Sequence, residues 1–263
     1  MFTTYFNMKV QPFKERVPVE QILKDERLMQ GLARLQFLVE SGTVALITGQ
    51  TGVGKSILIK LFLSTIASNQ YKPIYIHFTQ IRTSCFFNLI VTELKEVPKR
   101  NKEQLFFQII EKINNTSLTT LLIIDEAHLL TVEALTDLRL LISSALENEP
   151  PLKIILTGQD ELKNKLKRGV LNDFAQRISV CHHLKPLSKT QTAAYIDFHV
   201  NYSGASDKIF EPEVKNMIYE YSNGIPRQIN NIATACLINA AIHKSQKVNM
   251  QIFNQTLSDF QLF

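Results

Sequence analysis

The octapeptide Gly49, Gln50, Thr51, Gly52, Val53, Gly54, Lys55, Ser56 constrains this chain more than any other stretch. It has the form G-x-x-x-x-G-K-[ST] and lies where a strand gives way to a helix. Thr43 to Thr48 reads as a short buried strand, and Ile57 to Ala67 is apolar at helical spacing. Glycines in such a turn let the backbone take positive φ and bring successive N–H groups toward anionic oxygens at a helix N-terminus. The run is therefore read as a phosphate cradle, with Lys55 placed to reach β- and γ-phosphates and Ser56 to ligand Mg²⁺. Ile57 continues the same first helical turn.

A second apolar run, Leu121-Leu122-Ile123-Ile124, has the continuous character of a strand covered on both faces, and it ends in Asp125-Glu126. Ligands in open α/β sheets bind at the carboxyl ends of strands, so Asp125 is expected to face Ser56 and hold the metal's water shell. Glu126 is then placed to orient and deprotonate an attacking water. The bland alternative is a solvated strand end. His128 completes the tetrapeptide DEAH, a string also found in a class of helicases. Those need two motor domains, whereas 263 residues leave room for about one α/β domain and a small appendage. His128 is read as a residue that packs or hydrogen-bonds just after the strand.

The composition, 45% hydrophobic and 20% charged, is that of a folded chain with a substantial core. No apolar stretch approaches a membrane span, and Met1 to Phe6 lacks the zones of a signal peptide, so a cytoplasmic location and no membrane partner are expected. Cys85, Cys181 and Cys236 lie far apart without a C-x-x-C pair, which points to buried thiols and not to a disulfide framework or a zinc site. His182 and His183 are adjacent on an expected strand and would face opposite ways. The net charge of +5 is compatible with a polyanionic partner without demanding one. Two local clusters, Lys95 with Lys99, Arg100 and Lys102, and Lys163 with Lys165, Lys167 and Arg168, read either as solvated faces or as phosphate contacts.

Five strands are expected, at 43–48, 73–78, 121–125, 152–157 and 178–182, with helices between them and a preceding helix over 26–39. Thr131 looks like the N-cap of a helix running through Leu146 and ended by Pro150-Pro151. After Pro186, Ser188-x-x-Gln191 is a capping box that opens an all-helical region, with helices over 190–200, 213–221, 226–243 and 250–260. The fold class expected is α/β: a parallel sheet of about five strands flanked by helices, of the P-loop NTPase type, followed by a small helical lid. The boundaries expected are a leader and helix over 1–40, a nucleotide-binding domain over 41–186 and a lid over 187–263.

Arg227 sits in the first turn of a helix that Pro226 opens, after Asn223-Gly224. A cation at a positive helix end is unfavourable without an anion nearby, and a γ-phosphate would supply one. A plain surface Arg is the alternative. Thr157 and Gln159, at the end of the fourth strand, are both candidates to contact the γ-phosphate or the attacking water beside Glu126, with Gln159 favoured. Arg177 precedes the fifth strand, where an arginine is placed to project into a neighbouring protomer's site. Arg168 is the competing finger, and an intrachain salt bridge is the bland reading.

With these pieces in view, the chain resembles the AAA+ superfamily near the initiator clade, and more closely the ExeA/TniB/TnsC-like ATPases of transposons and secretion operons. The matching pieces are Phe6-Asn7-Met8-Lys9 with Pro12-Phe13, GQTGVGKS, LLIIDEAHLL, LTGQDEL, FAQRI, LKPLSKTQTAAYI and NGIPRQIN. The resemblance implies ATP and Mg²⁺ as ligands, Walker A at Gly49 to Ser56, Walker B at Asp125 and Glu126, and sensor 1 at Thr157 or Gln159. It further implies Arg177 as finger, Arg227 as sensor 2, and Phe6, Pro12 and Phe13 as residues that help enclose adenine. A hydrophobic staple explains that leader nearly as well.

Secretion members of this group usually continue into a membrane span and a peptidoglycan-binding region, and neither follows here before Phe263, which tilts expectation toward the transposon branch. Such a protein is expected to assemble as a homo-oligomer, ring or helical filament, on double-stranded DNA when ATP is bound, and to recruit or release a separate transposase. DNA contact is expected at Thr79 to Ser84, through Arg82 and Thr83, with Lys99 and Arg100 nearby. The alternative is a pilus or type II secretion ATPase acting on protein or cell-envelope partners. A scaffold that scarcely hydrolyses ATP is disfavoured by the intact Glu126.

Overall fold

The computed structural model describes residues 2–15, 17–77, 86–145, 152–205 and 208–260. In chain order the elements are α1 (Phe2–Tyr5), α2 (Glu26–Ser41), β1 (Val44–Thr48), α3 (Lys55–Leu63), β2 (Tyr71–His77), α4 (Phe86–Glu93), α5 (Lys102–Asn114) and β3 (Thr119–Asp125). There follow α6 (Val132–Ser144), β4 (Leu152–Gly158), α7 (Glu161–Leu166), α8 (Asn172–Gln176), β5 (Ile178–His183), α9 (Lys189–Tyr202), α10 (Pro212–Ser222), α11 (Pro226–Ile242) and α12 (Met250–Phe260). They fall into two compact units. One holds Asp25–Thr51 and Lys55–Leu184, and the other holds Met1–Lys24, Gly52–Gly54 and Lys185–Phe263.

The first unit is built on a five-stranded, all-parallel sheet in the order β2-β3-β4-β1-β5. The three inner strands are buried along nearly their whole length, as helix-covered parallel strands must be, while β2 and β5 at the edges alternate. Because β4 inserts between β1 and β3, its carboxyl end separates the loop that follows β1 from the acidic pair that closes β3. One face of the sheet, with Leu46, Ile76, Leu122, Ile124 and Leu156, packs on Phe86, Phe87, Ile109, Leu138 and Phe174 in a continuous core.

Local chemistry sets the helix ends. Asp25 caps α2 by accepting from Leu28 N–H (3.0 Å), and Lys153, buried on β4, closes the other end by donating to Leu38 O (3.0 Å) and Gly42 O (2.9 Å). Thr131 caps α6 as expected. The further course expected for that helix, to Leu146 and Pro150-Pro151, lies outside the described residues. α3 stops at Leu63, short of the Ala67 expected from periodicity. Ser64 and Thr65 bond back to Leu61 O (2.6 Å) and Phe62 O (2.8 Å), offering the backbone a turn in place of another helical repeat. Phe78, the expected last residue of the second strand, lies outside the described residues, and β2 begins earlier, at Tyr71.

In the second unit, α9 opens with the capping box formed by Ser188 and Gln191, as its spacing predicts. α9 to α12 pack around Ile196, Val214, Ile229, Leu237 and Phe253, and Phe6, Met8 and Phe13 of the leader are buried in the same core. Gly224 is required where it stands: its φ is +71°, and a Cβ there would lie 1.9 Å from Leu187 O. Among the described residues, no helix is long and apolar enough to cross a membrane.

Candidate nucleotide site

The cradle begins at Thr48, the last residue of β1, and runs into α3, whose first residue is Lys55. Gly52 and Gly54 take φ of +80° and +114°, the left-handed region that the motif's glycines were expected to supply. Lys55 is 5% exposed, and its ammonium donates to Gly49 O (2.9 Å) and Gln50 O (3.1 Å). Val53 is buried, whereas Gln50, Thr51 and Ser56 are open to solvent and Ile57 is half-buried.

Across the sheet, Asp125 is 2% exposed and surrounded by donors. Its Oδ2 accepts from Ser56 Oγ (3.1 Å) and from the Tyr75 hydroxyl (2.5 Å), and its Oδ1 accepts from Glu126 N–H (3.0 Å) and from Thr157 Oγ1. His77 Nδ1 lies 3.5 Å from Oδ2. Burial alone would raise the pKa of this carboxyl, but hydrogen bonds from Thr157, Tyr75, Ser56 and Glu126 N–H outweigh it and hold Asp125 below the usual carboxylate range. Burial first, and then the bond to this carboxylate, push the Tyr75 phenol above its ordinary value. Asp125 is thus an anion at neutral pH, coupled to Ser56. A hydroxyl and a carboxylate within 3.1 Å form the all-oxygen donor set that a magnesium ion favours, so the residues present fit that metal.

Glu126 follows with φ +57° and ψ 35°, a conformation that costs a non-glycine residue about 1 kcal/mol or more. The turn carries its carboxylate out of the strand direction. His128, in the 3₁₀ turn Ala127–Leu129, brings Nδ1 to 3.2 Å from Glu126 Oε2, and its Nε2 lies 3.3 Å from Gln159 Nε2. The fourth strand's two candidates therefore separate. Thr157 is fully buried against Asp125, while Gln159 is half-buried and engages the histidine.

The remaining expected residues are placed as follows. Arg177 donates to Ser143 Oγ (3.1 Å), and Arg168 is exposed just before the short turn Gly169–Leu171. Lys99 and Arg100 are exposed ahead of α5, and Arg82 and Thr83 lie outside the described residues. In the helical unit, Pro226 is the first residue of α11, and Arg227 N–H donates to Gly52 O (3.3 Å). Phe6, Pro12 and Phe13 are buried there, with Phe13 against the rings of His199 and Phe210 (5.5 and 6.3 Å between centroids). Tyr75 and His77 had not been singled out from the sequence. Only the β2–β3 register, which pairs His77 with Asp125, brings them to the site.

A parallel sheet in this order, with a glycine-rich loop after β1, an acidic pair after β3 and a helical C-terminal part, has the AAA+ form of the P-loop NTPase fold. Residues 39–166 match the family described as AAA domain. The chain is 29% identical over 254 residues to general secretion pathway protein A of Aeromonas hydrophila, a match spanning 94% of this chain and 46% of that protein. It therefore spans about half the length of that curated relative. Among solved structures it is similar to Cdc6p from Pyrobaculum aerophilum (TM-score 0.75, 16% identity, 94% of this chain and 70% of that one). It is similar also to the Aeropyrum pernix ORC2 protein in ADPNP–ADP complexes (TM-score 0.71, 15% identity, 94% and 70%).

Proposed function

We propose that the protein is an ATP-hydrolysing subunit of a secretion- or pilus-type assembly, working on protein or cell-envelope partners. The observation that carries this reading is the relative named for a general secretion pathway, matched along 94% of the chain, helical unit included. Expectation from the sequence leaned the other way, toward control of a transposase on DNA. The named relative favours the secretion reading over it.

In the proposed reaction, ATP lays its triphosphate along the amides of residues 49–56. Lys55 moves its ammonium from Gly49 O and Gln50 O to the β- and γ-phosphate oxygens, exchanging two carbonyl partners for anionic ones. Ser56 and Asp125 would hold magnesium, which when bound offsets charge on the β- and γ-phosphates. Glu126 takes a proton from water as the water oxygen bonds to the γ-phosphorus and the bond to the β-phosphate bridging oxygen breaks, giving ADP and phosphate. Thr157 fixes Asp125, and Gln159, held by His128 without nucleotide, is assigned to meet the γ-phosphate or the water. Arg227 is assigned to sensing that phosphate from the lid, Arg177 or Arg168 to stabilising the reaction in a neighbouring copy, and the leader around Pro12 to the adenine side. The working form is accordingly a homo-oligomer, ring or filament, with ATP at its interfaces.

A second reading, a DNA-bound regulator that controls a transposase, is favoured by one feature, the exposed pair Lys99 and Arg100 on a chain of net charge +5. The two readings separate in one assay. ATP turnover is measured at fixed salt with peptidoglycan fragments or with duplex DNA added. Stimulation by envelope material alone supports the secretion reading, and stimulation by DNA with ATP-dependent assembly on it supports the other.

A further inference from the structure

The leader spends only part of its apolar surface on the core of the helical unit. Phe6 and Phe13 are buried there, whereas Phe2, Tyr5 and Val10 are half-buried. With Ile238, Ala241 and Ile242 of α11 these residues line a groove of about 740 Å³, within the size range of ligand-binding clefts. Three bonds hold its walls. Met8 N–H donates to Thr3 O (2.8 Å), Lys9 N–H donates to Ser203 O (2.7 Å), and Gln246 Nε2 donates to the Tyr5 hydroxyl (3.2 Å). The leader is thereby tied both to the end of α9 and to the loop after α11, so the groove is formed before anything enters it.

On the α11 side the groove is open to solvent. Ile238 and Ile242, one helical turn apart on the same face, are 42% and 67% exposed. A single exposed isoleucine needs no explanation, but a pair beside a preformed apolar groove is a ridge of the kind that an amphipathic helix packs against. The charge around it has one sign. Residues 2–14 and 226–258 contain no Asp or Glu. Lys9 lines the groove, and Lys244 and Lys247 flank the Gln246 that meets its rim. All three lysines are exposed, and none forms an ion pair among the described residues.

We propose that this groove is a docking site for an acidic amphipathic helix of a partner protein. The partner's apolar stripe lies in the groove against Ile238 and Ile242, and its carboxylates meet Lys9, Lys244 and Lys247. Duplex DNA would satisfy the lysines but has no apolar ridge to fill the groove. A lone acyl chain would leave one side in water along α11. The nucleotide is not the occupant either: with Pro226 opening α11, Ile238 and Ile242 stand 12 and 16 residues further on, about 18 and 24 Å along the helix. The inference goes beyond the ATPase reading and stands independently of it.

The probe is a fluorescein-labelled helical peptide of about 18 residues, with Leu at i, i+3, i+4 and i+7 spacing and Glu at most other positions. It is titrated with the full chain, without nucleotide, and read by anisotropy. Saturable binding that weakens with added salt is expected. Ile242→Glu should weaken it by at least about tenfold and Lys9→Glu with Lys244→Glu by about threefold or more. Both variants should keep the wild-type melting temperature and ATP turnover, because the changed residues are exposed. A peptide with Lys in place of Glu should not bind. No saturable binding, undiminished binding by Ile242→Glu, or equal binding of the Lys peptide would each overturn the proposal. Two other results would replace the occupant and overturn it as well: cosedimentation with phosphatidylglycerol vesicles, or concentration-dependent self-association, either one lost in Ile242→Glu. Wild-type protein that binds the peptide but turns over no ATP would sink the ATPase reading alone.

Discussion

The Thr157 hydroxyl on β4 donates to the Asp125 carboxylate on β3, joining two neighbouring strands at the end where the phosphate loop lies. Thr157 is fully buried and Asp125 nearly so, and the bond is one of four that keep the carboxylate charged. Replacing Thr157 by valine preserves shape and deletes that donor. Urea unfolding of Thr157→Val is expected to show a loss of about 1–3 kcal/mol, with ATP turnover reduced as well. Thr157→Ser should recover most of both, and a Thr157→Val protein as stable and active as wild type would mean that the hydroxyl does not support Asp125.

Glu126 and Lys55 are expected to fail in different ways. Glu126→Gln keeps size and polarity but cannot take the water's proton, so it should retain ATP and lower turnover by at least about 100-fold. Any ATP-dependent oligomer should persist longer, which light scattering after ATP addition would follow. Lys55→Ala removes the phosphate's cation and should weaken nucleotide binding itself. If both variants lost only binding, Glu126 would have no part in the chemistry.

Stability should carry a histidine signature. Burial lowers the pKa of His199 from 6.5 to about 4. The folded state then holds the ring neutral while the unfolded chain protonates it, so the contribution is full above pH 6.5 and is lost as pH falls toward 4. The difference amounts to about 3 kcal/mol at most. His199→Phe keeps an aromatic ring against Phe13, Tyr195 and Phe198, and denaturant curves of this variant should show a shallower loss between pH 6.5 and 4 than wild type. Parallel pH dependences in the two proteins would argue that His199 is not held neutral.

Much of the fold and of the site is legible in the sequence. The glycines, Lys55 and Ser56 announce a phosphate loop because that chemistry is local in sequence, and the run Leu121–Ile124 announces a covered strand because burial on both faces leaves no polar position. What could not be read depends on pairing. Tyr75 and His77 reach Asp125 only through the β2–β3 register, and nothing in a single edge strand fixes that register. The choice between Thr157 and Gln159 was equally hidden, since β4's placement beside β3 decides which side chain turns to the carboxylate. The burial of the leader's Phe6 and Phe13 among α9 to α12 follows from a core that no local pattern encodes.

The two described cysteines differ in environment, and their reactivity should follow. Burial pushes the Cys236 thiol up to about 12, whereas Cys181 on the edge strand β5 is exposed. Mass mapping after brief iodoacetamide treatment of native protein should find Cys181 modified and Cys236 protected until denaturant is added. Rapid native labelling of Cys236 would contradict the packing of α11 against α12.

Calorimetric titration of ATP into the folded wild-type chain with magnesium, beside Lys55→Ala, bears most directly on the nucleotide site. Saturable uptake by wild type, raising unfolding stability by about 2.7 kcal/mol at a hundredfold excess over Kd, and none by Lys55→Ala is the outcome that the cradle, Lys55 and Asp125 require. Folded wild-type protein that takes up no ATP, or binds it equally well without Lys55, would contradict the site.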